Sequence, residues 1–112
     1  MKYHNDYYGG FIVSKNIING ERIKYTFREK SQIRQLNGWT LYSDVDDDNY
    51  VNDSDNFMIL SAESLFQICP VFKELYEAPY GTDLCWIYNQ DVLVGFFDLN
   101  AEKEVNIDEI VR

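Results

Sequence analysis

The sequence contains one histidine, two cysteines and two prolines, and these shortages exclude several kinds of chemistry. His4 stands in a polar N-terminal stretch, so a Ser-His-Asp or Cys-His catalytic site is not expected. Cys69 and Cys85 lack CxxC spacing, and with His4 they are too few and too far apart in sequence for a zinc site. Two cysteines are also fewer than a small secreted scaffold usually carries, so we expect free thiols in a reducing cytoplasm.

Signals for phosphate binding, secretion and membrane insertion are also missing. The six glycines form no GxGxxG or GxxxxGK pattern, so a nucleotide-phosphate site is not predicted. The first residues, MKYHNDYYGG, lack the apolar core of a secretory signal, and no apolar run reaches the length of a membrane span. We therefore expect a cytoplasmic protein that is not an enzyme and needs no cofactor.

Positive charge is absent from a long central interval, because no basic residue occurs between Arg34 and Lys73. That interval holds seven acidic residues, or −7 of the net charge of −9. Six of them are Asp44, Asp46, Asp47, Asp48, Asp53 and Asp55. Such crowding of like charge lowers stability and attracts a basic protein, while it repels nucleic acid and anionic membranes. An Asp-rich run is equally typical of a solvated surface with no partner.

A chain of 112 residues with 46% hydrophobic and 16% aromatic content predicts one folded domain over residues 1–112. Residues 1–8 are predicted to be a polar lead-in. Asn19-Gly20 is a strong hairpin signal, which would pair Val13 with Thr26 across two antiparallel strands. In the second of these strands, Ile23, Tyr25 and Phe27 alternate with polar residues and are expected to share one buried face.

The remaining elements follow from alternation, capping and turn residues. Residues 39–43 predict a third strand, residues 44–56 a loop or short helix, and residues 57–60 a buried strand. Ser61 is expected to cap the first of two short helices, over 62–68 and 70–77. Residues 84–88 and 92–98 predict a second hairpin, and the C-terminal residues a closing helical turn. The predicted fold class is α+β, with an antiparallel sheet of five to six strands and two short helices packed on one face.

Calcium is the metal that the aspartates match best. Asp44, Asp46, Asp48 and Asp55 fall at the first, third, fifth and twelfth places of a loop, as carboxylates do in an EF-hand. Asn49 replaces the expected glycine, and the flanking residues predict strands instead of helices. A calcium-binding or calcium-stabilised loop is therefore kept as an alternative to protein binding.

Aromatic residues next to the carboxylates favour a protein interface, because ring burial supplies binding energy while charge supplies orientation. The candidate partner-binding residues are Trp39, Asp46, Asp47, Asp48, Tyr50, Arg28 and Glu29. Trp39 alternates like a core residue, and an Arg-Glu pair at the end of a hairpin is often an ordinary surface pair. These structural interpretations compete with the binding role.

Several separated motifs occur together in a characteristic order. They are Gly10-Phe11, Val13-Ser14-Lys15, Tyr25-Thr26-Phe27-Arg28-Glu29, Gly38-Trp39, Asp47-Asp48-Asn49-Tyr50, Pro70, Leu75 and Pro79-Tyr80-Gly81. Over residues 9–88 the chain resembles the immunity protein 33-like family, a bacterial domain of unknown function. The resemblance implies a small cytoplasmic α+β protein that neutralises a cognate toxin, and it implies no catalytic residues. An acidic protein of this kind suits a basic toxin such as a nuclease.

Overall fold

The computed structural model describes residues 8–111, so the predicted lead-in up to Tyr7, including His4, lies outside the described residues. The strands are β1 (Gly10–Ser14), β2 (Ile23–Arg28), β3 (Leu36–Ser43), β4 (Phe57–Leu60), β5 (Asp83–Asn89), β6 (Val92–Asp98) and β7 (Lys103–Val105). The helices are α1 (Lys15–Ile18), α2 (Asp48–Val51), α3 (Ala62–Ile68), α4 (Phe72–Leu75) and α5 (Ile107–Val111), with a 3-10 helix at Ser54–Asn56. None of the helices in residues 8–111 has the length and apolar character needed to cross a membrane.

The described strands form one mixed sheet in the order β4-β1-β3-β2-β5-β6-β7. β1 and β3 run parallel, and every other neighbouring pair is antiparallel. The α+β class is confirmed, whereas the prediction of a wholly antiparallel sheet with five to six strands is wrong. Parallel pairing depends on distant segments of the chain, and β7 is too short for its alternation to be recognised.

The predicted first hairpin does not form. Ser14 accepts a hydrogen bond from the Asn16 backbone N–H at 3.2 Å, which caps α1 directly after β1. Gly20, at φ +114°, follows this helix, and its N–H donates to the Ile17 carbonyl at 3.1 Å. Glycine tolerates positive φ after a helix as readily as in a hairpin turn, so the Asn19-Gly20 signal did not distinguish the two. β1 instead lies between β3 and β4.

An irregularity in β2 changes which residues share a face. The register with β3 shifts between Ile23 and Tyr25, as at a β-bulge. Ile23 and Thr26 are buried, whereas Tyr25 and Phe27 point to the other face and are only partly buried. The prediction that Ile23 lies on the same face as Tyr25 and Phe27 is therefore wrong.

Several other predicted elements are confirmed. β3 alternates as expected, with its odd-numbered residues from Asn37 to Ser43 buried. Ser61 caps α3 by accepting a hydrogen bond from the Ser64 N–H at 3.2 Å, and β5 and β6 form the second hairpin. β4 is a strand but not a buried one, because it lies at the sheet edge with Ile59 65% exposed.

Helices α3, α4 and α5 contribute side chains to a core on one face of the sheet, called here the covered face. Its large rings are fully or almost fully buried and in mutual contact; they are Phe11, Trp39, Phe72, Trp86 and Phe96. Ring pairs at 4.9–6.0 Å between centroids add to the stabilisation from area burial alone. The covered face is therefore the hydrophobic core.

The Gly38-Trp39 pair combines a backbone requirement with a core requirement. Gly38 has φ +93°, and a Cβ there would stand 2.2 Å from the Glu29 carbonyl oxygen. A side chain would thus clash with the backbone that carries Glu29, so glycine is needed for this close approach. Trp39 is fully buried against Phe72.

Candidate protein-binding surface

The second face of the sheet, called here the open face, carries a row of five partly exposed aromatic rings. In spatial order they are Tyr50, Phe57, Tyr42, Phe27 and Tyr25. Successive centroids lie 6.2, 5.6, 5.6 and 5.5 Å apart. This aromatic row extends from the acidic segment, residues 44–55, across the sheet from β4 to β2, and its rings on the sheet lie on β4, β3 and β2.

Strand register brings the central rings of the aromatic row together. Tyr25 on β2 lies opposite Tyr42 on β3, with 5.6 Å between their ring centroids. Phe27, two residues further along β2, points to the same side because side chains alternate along a strand. Cross-strand pairs of this kind contact each other directly and stabilise the sheet.

Two clefts on the open face share Phe27, Glu29 and Tyr42 as lining residues. The first has a volume of about 550 Å³ and is lined further by apolar side chains, including Ile12, Val51, Phe57 and Ile59. The second has a volume of about 480 Å³ and includes Tyr25 and Asp83. Apolar and aromatic walls with a few carboxylates at the edges are the usual make-up of a protein-binding surface.

Carboxylates lie close to the tyrosines of the open face. The Tyr25 hydroxyl donates a hydrogen bond to Asp83. Burial first, and then that hydrogen bond, raise the pKa of Tyr25 above its ordinary range. The pKa of Tyr42 is also raised, chiefly by burial and further by the negative charges of Glu29 and Asp46. Glu29, Asp46 and Asp83 thus place negative charge beside the tyrosines of the open face.

Asp46 is the one aspartate of the acidic segment that is partly buried; the other five are exposed. It accepts hydrogen bonds from the Ser43 N–H at 2.7 Å, the Ser43 hydroxyl at 2.6 Å and the Asn16 amide at 2.8 Å. Burial alone would raise the pKa of Asp46, but these hydrogen bonds outweigh it and hold the pKa below its ordinary value. The side chain is thus occupied in joining α1 to the end of β3.

The other carboxylates of the acidic segment stay at the surface. Asp47 caps α2 by accepting from the Tyr50 N–H, and Asp53 caps the 3-10 helix by accepting from the Asp55 N–H. Asp44 forms an ion pair with Arg22 at 3.2 Å. Among residues 8–111 it is the only one of the six aspartates with an ion pair, so most of the negative charge is not neutralised by the chain's own Lys or Arg side chains.

Tyr50 links the acidic segment to the sheet. Its hydroxyl donates to the Asn56 carbonyl at 3.2 Å, and the Asn56 amide donates back to the Tyr50 carbonyl at 2.8 Å. The same ring continues the aromatic row through Phe57. Of the predicted binding residues, Tyr50, Asp47 and Asp48 therefore lie at one end of the open face.

Two of the predicted binding residues make contacts within the fold. Trp39 is fully buried, and its indole N–H donates to the Tyr76 carbonyl at 3.2 Å. Arg28 donates to the carbonyls of Asn37, Tyr76 and Ala78 at 2.8–3.0 Å. Its guanidinium also lies over the rings of Trp39, Tyr76 and Tyr80. Trp39 is thus enclosed by the core, and Arg28 is engaged with backbone carbonyls although it stays partly exposed. A binding role for either residue stays a prediction.

Glu29, one of the predicted binding residues, is exposed and lines both clefts, whereas Tyr25, Phe27, Tyr42 and Phe57 were not among the predicted binding residues. Alternation was read as a sign that Tyr25 and Phe27 were core residues. A signal was nevertheless present, because a few helices of four to seven residues cannot cover both faces of a broad sheet. Aromatic residues on the second face then have to meet solvent or a partner.

The calcium alternative gains no support from the arrangement of the carboxylates. Asp44 forms an ion pair with Arg22, and Asp46 accepts hydrogen bonds from Ser43 and Asn16. In the part of the chain that the structure describes, no group of three or more His, Cys, Asp or Glu side chains is placed to hold a metal ion. Cys69 and Cys85 are free thiols, as predicted, and burial raises the pKa of Cys69 to about 11.

Comparison with known families tests the resemblance noted in the sequence. The model described as "Immunity protein Imm33 domain" matches residues 11–92, well over half of the chain. The chain belongs to the Imm33 immunity protein domain family. The Imm33 match runs from β1 to the start of β6 and contains all five rings of the aromatic row. No curated protein and no solved structure matches the chain significantly.

Proposed function

We propose that this Imm33 domain is a cytoplasmic immunity protein that binds a cognate toxin domain of basic character and blocks it without catalysis. Family membership supports an immunity-type role, and the basic character of the partner is argued from charge. Attraction between an acidic patch and a basic protein accelerates encounter and disfavours wrong partners.

The observation that carries this proposal is the set of surface carboxylates with no ion pair within the described residues: Asp47, Asp48, Asp53 and Asp55. They repel one another in the isolated domain, and a cationic partner relieves that repulsion on binding. The same charges repel phosphate groups, so nucleic acid is not proposed as a ligand. Carboxylates of this kind are suited to occupy the place that substrate phosphates take in a nuclease toxin.

The test is co-expression of this domain with the toxin domain encoded beside its gene, followed by titration calorimetry with an inactivated form of that toxin. Asp47, Asp48, Asp53 and Asp55 are changed together to Asn, which removes four charges and keeps both helix caps, since Asn caps as well as Asp. Asp46 stays in place because it is occupied within the fold. We expect Kd to rise about 10- to 100-fold at low salt, and the salt dependence of binding to weaken.

A matched control removes four negative charges near the opposite end of the sheet and at α4–α5. It changes Glu77, Glu102 and Glu104 to Gln and Asp108 to Asn, all exposed residues. Net charge is then equal in the two variants, so only the position of the charge differs. Failure of the unaltered domain to protect cells from the toxin contradicts the immunity role. An equal loss of affinity for the toxin domain in the two variants contradicts a localised acidic site.

A further inference from the structure

The open face has the composition of a binding surface and no partner within the described residues. Phe11, Trp39, Phe72, Trp86 and Phe96 on the covered face are at most 3% exposed, whereas every ring of the aromatic row is only partly buried. Ile59, next to the row on β4, is 65% exposed. Exposed apolar area of this extent is unfavourable in water unless something covers it.

Glu29 indicates the charge of the missing partner. Its side chain makes no ion pair or hydrogen bond with residues 8–111, and it lines both clefts beside Tyr42 and Phe27. Asp83 lies at the far side of the second cleft. Among residues 8–111, Arg28 is the only basic residue lining either cleft, and its guanidinium donates to three backbone carbonyls. The clefts thus offer aromatic faces and carboxylates without a free cation.

We propose that the open face is the main docking surface for the basic toxin domain, which inserts a Lys or Arg side chain between Glu29 and the Tyr42 ring and places apolar side chains in the cleft along Ile12, Phe57 and Ile59. This inference rests on the proposed immunity function and names the contact that performs it. A cation over an aromatic ring and next to a carboxylate is attracted by both groups. The acidic segment then acts as the polar border of the interface, which speeds encounter while the rings supply most of the affinity.

The experiment measures Kd and association rate for the inactivated toxin domain with three variants. Tyr42→Thr removes the central ring but keeps a residue that favours strands, and we expect about 30-fold weaker binding, as for an interface hot spot. Glu29→Gln removes the charge facing the inserted cation, and about 10-fold weaker binding is expected. Ile59→Thr probes the apolar cleft, with an expected loss of about 5-fold.

Val92→Thr is the matched control for Ile59→Thr, because Val92 has the same 65% exposure but lies on β6 at the other end of the sheet. It is expected to bind with unchanged Kd. Thermal unfolding of each variant separates loss of the fold from loss of binding. The open-face variants should raise the dissociation rate, whereas the four-residue Asn variant should mainly lower the association rate.

Three outcomes overturn the inference. Tyr42→Thr and Glu29→Gln variants that fold and bind with unaltered affinity would remove the open face from the interface and leave the immunity role intact. A toxin domain that does not bind the unaltered chain at all would remove both proposals. Sedimentation showing a homodimer that Tyr42→Thr dissociates would assign the face to a second copy of this chain instead.

Discussion

Both faces of the sheet carry contacting aromatic rings, but the rings differ in burial. On the covered face, Trp39 and Phe72 are fully buried and in edge contact at 4.9 Å. On the open face, Tyr42 and Phe27 lie edge to face at 5.6 Å and remain partly exposed. Ring contacts of similar geometry thus serve stability on one face, and on the other they leave aromatic surface available. Composition alone does not distinguish these uses; the placement of a few short helices does.

The largest effect should come from truncating a ring on the covered face. Trp39→Ala is expected to lower the free energy of unfolding by about 3–5 kcal/mol, because a fully enclosed site cannot refill the cavity. Tyr42→Ala, on the open face, is expected to cost about 1–2 kcal/mol, because part of that ring already contacts water. Urea unfolding measures both variants. Equal costs would show that the open face is as much a core as the covered one.

Arg28 and Glu29 are adjacent in sequence, but the Arg28 side chain is bound within the fold whereas the Glu29 side chain is exposed. The ammonium group of a lysine at position 28 cannot reproduce the planar guanidinium that donates to three carbonyls. Arg28→Lys is therefore expected to lower the free energy of unfolding by about 1–3 kcal/mol. Glu29→Gln should leave stability unchanged, since its side chain has no partner among the described residues. Thermal and urea unfolding of the two variants provide the measurement. A stability loss in Glu29→Gln would indicate a structural role for that carboxylate.

Within the acidic segment, Asp46 and Asp48 form a further matched pair. Asp46→Ala is expected to cost about 1–2 kcal/mol at pH 6, because it leaves the Ser43 N–H without its acceptor. Asp48→Ala should have no measurable effect. The folded-state pKa of Asp46 lies below its ordinary value of 3.8, so its ionised form stabilises the fold above that pH. The difference in unfolding free energy between the Asp46→Ala and Asp48→Ala variants should therefore shrink as the pH falls through the folded-state pKa of Asp46.

The smallest effect is expected from neutralising the surface aspartates. The combined Asn variant at positions 47, 48, 53 and 55 should unfold roughly 2–5 °C higher at low salt, because it removes self-repulsion. The gain should disappear in about 0.5 M NaCl, where screening already weakens that repulsion. Calorimetry at the two salt concentrations is the measurement. A lower melting temperature would mean that these carboxylates stabilise the isolated domain.

Sequence signals such as caps, turn residues and alternation predicted the elements that depend only on neighbouring residues. Ser61 as a cap, the hairpin over residues 84–88 and 92–98, and β3 as a strand could be predicted, because each depends on neighbouring residues only. The Asn19-Gly20 signal failed because the same backbone conformation ends a helix or turns a hairpin. β1 could not be placed between β3 and β4 from sequence, since that pairing is decided by contacts with residues 36–60.

The candidate site was predicted in part for similar reasons. Charge is visible in sequence, so the acidic segment and Glu29 could be proposed as candidates directly. The orientation of Arg28 was not, because only the fold shows that its register partner is buried Trp39. The aromatic row was missed because alternation shows which residues share a face but not whether a helix covers that face.

The position of β1 has a consequence for how the protein is made. Both neighbours of this strand in the sheet are translated after it, and β4 ends at Leu60. The nascent chain therefore holds an apolar segment, Phe11 to Val13, that stays unpaired until β3 and β4 have emerged. Chaperone binding during synthesis should concentrate on that segment, and slowing translation between residues 20 and 60 should increase aggregation.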